Sequence, residues 1–337
     1  MNDTHERSAP SVDLATALAV IVRLRDRLRA AIRGRDEVID LVLVALLADG
    51  HVLLEDFPGS GKTTLARALG DAITDDEPSD EIAGFRRIQF TPDLLPSDIT
   101  GTNVFDVDNN RFVFRRGPIF AHVVLADEIN RTSPKVQAAM LEAMAEKQVT
   151  VDNQTHRLDE LFYVIATQNP LDLAGTYPLP TPQLDRFLFK VVMRHIDRAA
   201  ELEVLDQYPR VSLDVASDLT GVSRGSVLAA RRAVRSGVAI VPAVKEALVD
   251  IARSLRADPR VLQGTSTRSL VLMLPALQAR AVLRDRDYVA PEDVEELSPF
   301  VFEHRIECAP GVEDGAQVVR ECVAPHVEEL AKRSMKP

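Results

Sequence analysis

The stretch Leu53-Leu54-Glu55-Asp56-Phe57-Pro58-Gly59-Ser60-Gly61-Lys62-Thr63-Thr64 decides the fold of this 337-residue chain. An apolar run ends in a glycine-containing turn, and that turn leads into a helical pattern. Backbone N–H groups of such a turn and the N-terminus of the following helix form a site for phosphate oxygens. We expect Lys62 at the β- and γ-phosphates of a nucleotide and the Thr63 hydroxyl on Mg²⁺. The binding residues predicted from this stretch are Pro58, Gly59, Ser60, Gly61, Lys62, Thr63 and Thr64.

One position departs from the phosphate-loop pattern G-x-x-x-x-G-K-[ST], because its first glycine is replaced by Asp56. Aspartate adopts the left-handed backbone conformation more readily than most residues, so the turn can form. Its carboxylate would nevertheless lie near the phosphates. Asp56 therefore raises a question about loop geometry and nucleotide affinity.

The composition is that of an ordinary soluble globular protein, with 46% hydrophobic and 27% charged residues. A net charge of −11 argues against nonspecific nucleic-acid binding as the main task. The two cysteines, Cys308 and Cys322, have no metal-site spacing, so we expect both to be reduced and structural. The N-terminus lacks a signal-peptide pattern and no apolar run reaches transmembrane length. These features predict a cytoplasmic protein.

The first helical pattern follows the N-terminal tail and is amphipathic. Leu14, Leu18, Ile21, Leu24 and Leu28 recur at helical spacing. The opposite face carries a stripe of arginines, for which a solvated face is the favoured interpretation and a binding surface the alternative. Its members are Arg23, Arg25, Arg27, Arg29 and Arg33.

The order of the remaining patterns predicts an α/β fold followed by a helical region. Strand-like and helical segments alternate up to about residue 195, which indicates a mostly parallel sheet between helices. Two β-hairpins are expected near residues 103–114 and 149–157, and helical patterns without convincing strands follow. We therefore predict a disordered tail over 1–11, a nucleotide-binding α/β domain over 12–200, and a linker with a small all-α domain over 201–337.

Three residues after buried strand patterns supply the chemistry of phosphoryl transfer. Asp127 ends the run Val123-Val124-Leu125-Ala126, where a carboxylate can hold Mg²⁺ through water. Glu128 can then polarise the attacking water. Asn169 follows another buried strand and would lie near the γ-phosphate if the two strands are neighbours; the alternative is a simple Asn-Pro turn.

Two arginines complete the candidate catalytic set. Arg186 is either an ordinary partner of Asp185 or a finger that reaches the γ-phosphate of a neighbouring subunit. Arg268 begins a helix of the second region, where a cation is unfavourable for the helix dipole. A phosphate partner would offset that cost.

With these residues in place, the chain resembles the MoxR family of AAA+ ATPases from roughly residue 33 to 305. The resemblance rests on long blocks, which are Arg87 to Asp98, Gly117-Pro118-Ile119-Phe120, Ala126 to Arg131, Ala166 to Pro170, Gly175-Thr176-Tyr177-Pro178-Leu179-Pro180 and Gln183 to Phe187. It implies ATP and Mg²⁺ as cofactors, with Lys62 and Thr63 as Walker A residues and Asp127 and Glu128 as Walker B residues. Asn169 would be the first sensor, Arg186 the trans-acting finger and Arg268 the sensor of the lid.

The resemblance also implies a ring, usually hexameric, with both hairpins at its central pore. MoxR-like proteins are thought to remodel or mature protein clients, often together with von Willebrand factor A domain proteins, for example by inserting a metal or cofactor. Two other functions stay open at this point. They are a nucleic-acid motor, favoured by Arg111, Arg115 and Arg116 in one hairpin, and a nucleotide-gated scaffold with little turnover.

Overall fold

The computed structural model of the chain describes residues 13–55, 59–76, 81–169, 175–206 and 220–334. Five parallel strands form its central sheet, in the spatial order β10 (Phe189–Val192), β1 (Val52–Glu55), β9 (Tyr163–Gln168), β6 (Ala121–Asp127) and β3 (Ala83–Gln89). Short strands pair outside this sheet: β2 (Ile73–Thr74) with β11 (Val222–Ser223), β4 (Gly101–Asp106) with β5 (Arg111–Arg116), β7 (Gln148–Val151) with β8 (Gln154–Arg157), and β12 (Val261–Gln263) with β13 (Glu307–Cys308).

Helices occupy most of the remaining chain. Those within the α/β part are α1 (Leu14–Ala31), α2 (Asp36–Leu47), α3 (Lys62–Ala72), α4 (Pro96–Thr100), α5 (Pro134–Glu146), α6 (Thr181–Leu184) and α7 (Arg198–Asp206). The later ones are α8 (Arg224–Gly237), α9 (Pro242–Ala257), α10 (Thr267–Leu283), α11 (Pro291–Phe302) and α12 (Gly315–Ser334). Within the described part of the chain, no helix is long and apolar enough to cross a membrane.

The sheet is buried on both faces, and its side chains alternate between two apolar clusters. Val52 and Leu54 of β1 pack with α1, α2 and α3 on one face, whereas Leu53 between them packs with α5 on the other. This alternation follows from the two-residue period of a strand. Because both faces are covered there, the inner strands β1 and β9 are continuous apolar runs whose polar side chains lie only at the carboxyl ends.

The prediction of a solvated arginine stripe on α1 is wrong for two of its members. Arg27 is 8% exposed, and its guanidinium donates to the carbonyl oxygen of Asp71. Arg25 donates to the carbonyl oxygen of Leu283 and forms an ion pair with Asp40 at 3.2 Å. Helix α1 is covered on more than one side, by α2, α3 and α8. These two arginines therefore form contacts with neighbouring elements and not with solvent.

Both predicted β-hairpins are present, and they contact each other. The first is β4–β5 and the second is β7–β8, each antiparallel throughout. The Asn103 side-chain amide donates to the Asp152 carboxylate at 2.8 Å, and the rings of Phe114 and His156 stack at 3.8 Å. The two hairpins therefore form one continuous projection from the α/β part.

The helical region differs from its sequence prediction by two short strand pairs, β11 with β2 and β12 with β13. These strands have two or three residues, too few for a periodic pattern. The region is also fastened to the α/β part. Arg231 of α8 is 8% exposed, donates to the carbonyl oxygen of Leu46 and pairs with Asp49 at 2.7 Å.

Candidate active site

The phosphate-loop residues lie between β1 and α3, at the carboxyl end of the sheet. Gly59 and Gly61 have φ values of 89° and 91°, which residues with a Cβ adopt at a cost. Gly61 is the N-cap of α3, has no side-chain cap, and leaves the first N–H groups of the helix for a ligand. A Cβ on Gly61 would lie 2.9 Å from Ile32. Asp56 and Pro58 lie outside the described residues.

Lys62 and Thr63 begin α3, and the Lys62 ammonium lies 3.2 Å from the Asp127 carboxylate. Asp127 is only 2% exposed at the end of β6. Burial opposes its ionisation, but hydrogen bonds from Arg87 and Thr167 and the charge of Lys62 outweigh burial and hold the pKa of Asp127 below its ordinary value. The carboxylate is therefore ionised at neutral pH and held by cations.

Glu128 directly follows β6 and has a left-handed backbone, with φ 60°. Its backbone N–H donates to the Thr167 hydroxyl at 2.9 Å, which in turn donates to Asp127 at 2.8 Å. Its carboxylate accepts from the Gln89 amide at 2.7 Å and lies 3.5 Å from Arg131. The unusual backbone turns the Glu128 side chain away from Asp127, so the two carboxylates have different partners.

Asn169 comes directly after β9, which lies between β1 and β6. Ala166 pairs with Ala126, so the carboxyl end of β9 is beside Asp127. The strand adjacency on which the prediction for Asn169 depended is therefore present. In open parallel sheets this edge is where ligands bind.

Three polar residues of this edge were missed as functional candidates. Arg87 donates to Asp127 at 2.6 Å, Gln89 holds Glu128, and Thr167 links both acidic residues. Gln89 pairs in register with Asp127, which explains why β3 delivers polar groups here. The available signal was the polar ending of an otherwise strand-like segment, Arg87-Ile88-Gln89-Phe90.

Arg186 lies elsewhere, at the amino end of the same sheet. It follows α6 and precedes Phe187, whose neighbour Leu188 donates its N–H to the His51 carbonyl at the start of β1. Asp185 pairs with Arg305 at 2.7 Å and with Arg268 at 3.7 Å, and not with Arg186. Among the described residues, no group accepts a hydrogen bond from the half-buried Arg186 guanidinium.

Arg268 is in the first turn of α10, and its side chain is half exposed. Among the described residues its counter-ion is Asp185. The partner seen for Arg268 is therefore a carboxylate, whereas the sequence suggested a phosphate. The structure thus brings Lys62, Thr63, Asp127, Glu128 and Asn169 to one edge of the sheet. At the other edge it places Arg268 against Asp185, the residue that precedes Arg186.

The residues at the carboxyl edge fit a nucleotide with Mg²⁺. Mg²⁺ prefers oxygen ligands and usually keeps several waters. The ionised Asp127 carboxylate and the Thr63 hydroxyl are ligands of that kind. The uncapped start of α3, with Lys62 in its first turn, matches a polyphosphate in charge and in hydrogen-bond donors. The edge therefore has donors and acceptors for both.

Comparison with known proteins agrees with this geometry. Residues 51–189 match the model of the ATPase family associated with various cellular activities (AAA), and residues 253–322 match that of the AAA lid domain. A crystal structure of a candidate ATPase from Cytophaga hutchinsonii superimposes with a TM-score of 0.81 at 32% identity, covering 92% of this chain and 96% of that one.

Three relatives extend the match over most of the chain. The chain is 44% identical to the uncharacterized protein YeaC of Bacillus subtilis, covering 86% of this chain and 89% of that protein. It is 36% identical to the chaperone MoxR1 of Mycobacterium tuberculosis over 87% of this chain and 77% of the relative. The protein MoxR of Methylorubrum extorquens is 29% identical over 96% of this chain and 97% of that protein. The chain therefore belongs to the MoxR family of AAA+ ATPases and is an ATP-hydrolysing protein.

Proposed function

We propose that the chain hydrolyses ATP with Mg²⁺ at subunit interfaces of a ring, hexameric as is usual for the family, and uses the energy to remodel or mature partner proteins. The work is done on protein clients in the cytoplasm, with von Willebrand factor A domain proteins as candidate partners. Insertion of a metal or cofactor into a client is one form that this work would take.

The observation that carries this proposal is the separation of the catalytic residues between two edges of the sheet. Strand β1 has four residues, so about 13 Å of strand length separates the edges. The phosphate loop and both acidic residues lie at one end of it, and Arg186 lies at the other. An arginine finger that cannot reach its own phosphate loop fits a site completed by a neighbouring subunit, and repeated head-to-tail contacts of this kind close a ring.

Within such a site each residue has one task. Asp127 and Thr63 would hold Mg²⁺, which neutralises charge that develops on the phosphate oxygens. Glu128, held by Gln89 and Arg131, would accept the proton of the attacking water while Asn169 orients that water or the γ-phosphate. Lys62 would contact the β- and γ-phosphates. Arg186, with Arg268 beside it, would stabilise the transferring phosphoryl group of the neighbouring subunit.

The client surface that we propose is the tip of the β4–β5 hairpin. Phe112 is 70% exposed and Val107 is 79% exposed, although both are apolar. The ring of Phe112 meets that of Phe105 edge-on at 5.2 Å, so the tip presents an aromatic pair rather than scattered side chains. Exposed aromatic clusters are typical of protein contact surfaces. The projection would face the pore of the ring.

The test is capture of clients by a variant that binds ATP without hydrolysing it. In Glu128→Gln, with ATP present, we expect proteins to be retained that the phosphate-binding variant Lys62→Ala releases. Adding Phe112→Ser to the Glu128→Gln chain should abolish retention, whereas adding Leu262→Ser should not, because Leu262 is similarly exposed, at 63%, but lies on β12. Mass spectrometry identifies the retained proteins.

Two results would contradict the proposal. Retention that is independent of ATP and of Phe112 would remove the remodelling function. A steeply salt-dependent stimulation of turnover by DNA, with no retained protein, would instead favour a nucleic-acid motor that uses Arg111, Arg115 and Arg116.

A further inference from the structure

We propose that Gln137 is a positioning residue that couples the two ATP sites in which one subunit takes part. Its amide ties the turn carrying Glu128 to the segment carrying Arg186. The inference rests on the proposed trans role of Arg186 and goes beyond it by naming the connection between that arginine and the subunit's own site.

The contacts of Gln137 are its first support. The residue lies on α5, is 1% exposed, and directs its side-chain NH₂ at three backbone carbonyls. These belong to Ile129 at 3.2 Å, Thr132 at 3.4 Å and Tyr177 at 2.9 Å. The first two lie in and directly after the 3₁₀ turn that follows Glu128. The third belongs to a different segment, so a single buried amide joins both.

A backbone hydrogen bond also joins Tyr177 to the turn that follows Glu128, and here Tyr177 is the donor. The N–H of Tyr177 donates to the carbonyl oxygen of Asn130 at 2.7 Å. The turn over 129–131 and residue 177 are therefore joined twice, once directly and once through Gln137. Gln137 is 1% exposed and Asn130 is 7% exposed, so displacing the turn from Tyr177 would leave the buried Gln137 amide without its shortest hydrogen bond.

The chain between Tyr177 and Arg186 is suited to transmit a displacement. Pro178, Pro180 and Pro182 each fix a φ angle, and Leu179 between them is 7% exposed. Helix α6 follows at once, and the Arg186 N–H donates to the Gln183 carbonyl oxygen. On the far side, Phe187 is fully buried. A shift of Tyr177 therefore reaches Arg186 through a stiff segment rather than being absorbed by a loop.

The physical consequence is that one subunit's Glu128 turn and its Arg186 move together. A change at Glu128, whose carboxylate contacts Gln89 and Arg131, is passed through the turn and Gln137 to the finger that serves the neighbouring site. Positioning errors of about 1 Å cost on the order of 100-fold in rate, so a small displacement is sufficient. Coupling of this kind would order hydrolysis around a ring.

The experiment mixes variant subunits and measures ATPase activity. An Arg186→Ala subunit has an intact Glu128 turn but no arginine finger. ATPase activity in the mixture therefore requires that a neighbouring subunit place its own Arg186 in the site of the Arg186→Ala subunit. We expect Glu128→Gln to restore it, since roughly a quarter of the interfaces in a random 1:1 mixture are then complete. Gln137→Met is added to the Glu128→Gln chain, so that the donor has no turnover of its own, and should restore less than about a tenth of that activity, because its Arg186 is displaced.

Gln278→Met is the matched control. Gln278 is also buried, at 8% exposed, and its amide also donates to two backbone carbonyls, those of Arg235 and Val238, but it lies on α10. In the same Glu128→Gln background, we expect Gln278→Met to restore Arg186→Ala as well as Glu128→Gln alone does. Gln137→Asn, whose shorter amide cannot span the same carbonyls, repeats the test if Gln137→Met fails to assemble.

The outcomes separate the two proposals. If Glu128→Gln restores activity and Gln137→Met restores it equally well, the coupling through Gln137 is overturned and the trans finger stands. If Glu128→Gln itself fails to restore activity in mixed rings, the trans finger is overturned and the coupling falls with it. Restoration by Glu128→Gln and Gln278→Met, but not by Gln137→Met or Gln137→Asn, supports both.

Discussion

The carboxyl and amino edges of the central sheet differ in how their charged groups are satisfied. At the carboxyl edge Asp127 and Glu128 are held by Lys62, Arg87 and Gln89, so an acidic centre is ready for a cation and a water. At the amino edge Arg305 is 3% exposed and donates to the Asp185 carboxylate and to four backbone carbonyls. One residue away from Asp185, Arg186 has no such partner among the described residues.

This difference separates the arginine that stabilises the fold, Arg305, from the arginine that is available to a ligand, Arg186. A buried arginine without acceptors would be costly, so Arg305 carries a complete set. Arg186 is half-buried and keeps its donors, which is the state expected of a group whose partner arrives from another molecule. In the proposed ring, each subunit would thus present an acidic half-site with Asp127 and Glu128 at one edge of the sheet and a basic half-site with Arg186 and Arg268 at the other.

The largest effect is expected at Arg186. We predict that Arg186→Ala lowers kcat by about 10³-fold or more while ATP binding persists, because trans-acting fingers contribute 10³–10⁵ to the rate. Steady-state ATPase assays together with equilibrium binding of a fluorescent ATP analogue measure both quantities. A loss of ATP binding equal to the loss of turnover would mean that Arg186 supports the fold as Arg305 does.

A smaller effect is expected at Arg268, which shares Asp185 with Arg305. We predict that Arg268→Ala lowers kcat on the order of 10-fold, since the residue lies beside the finger and adds charge to the same half-site. Its free energy of unfolding should change by less than about 1 kcal/mol, because the ion pair is half exposed. Unchanged kcat with a large loss of stability would assign Arg268 to the fold.

The smallest effect concerns His122, near the amino end of β6. Burial opposes protonation of its ring, but Asp159 and Asp75 outweigh burial and raise the pKa of His122 above its ordinary value. A raised pKa stabilises the fold fully below the unfolded-state pKa of about 6.5, and the stabilisation is lost as pH rises through the folded-state pKa.

The measurement for His122 is urea unfolding of the wild type and of His122→Gln at pH 6 and pH 9. We predict a difference in the free energy of unfolding on the order of 1 kcal/mol larger at pH 6. Arg224, which pairs with Asp159 at 2.8 Å, keeps its charge at both values and does not alter the sign. A difference that grows with pH would show that His122 is neutral in the fold.

The sequence predicted which motif residues meet at the carboxyl edge of the sheet. It did not predict what Arg268 contacts at the amino edge. Lys62, Thr63, Asp127 and Glu128 belong to local motifs whose spacing carries their geometry, and the mostly parallel sheet followed from alternating patterns, although the number and order of its strands did not. The partners Arg87, Gln89 and Thr167 depend on which strands are neighbours, and no local pattern states that β3, β6 and β9 are adjacent.

The pairing of Arg268 with Asp185 and the contacts of Gln137 were invisible for a related reason. Both join segments far apart in the chain through side chains that are individually ordinary. Arg25 and Arg27 were assigned to solvent because a single helix pattern does not reveal how many neighbours cover it. Long-range packing, rather than propensity, decides all of these positions.

The most direct test of the two half-sites compares two substitutions on different chains with the same two substitutions on one chain. Arg186→Ala is mixed with Glu128→Gln, and in parallel with a chain that carries both Glu128→Gln and Arg186→Ala, while native mass spectrometry confirms that mixed rings form. The half-site account predicts ATPase activity from the first mixture well above the sum of its components, and none from the second. No gain in the first mixture, despite mixed rings, would contradict it.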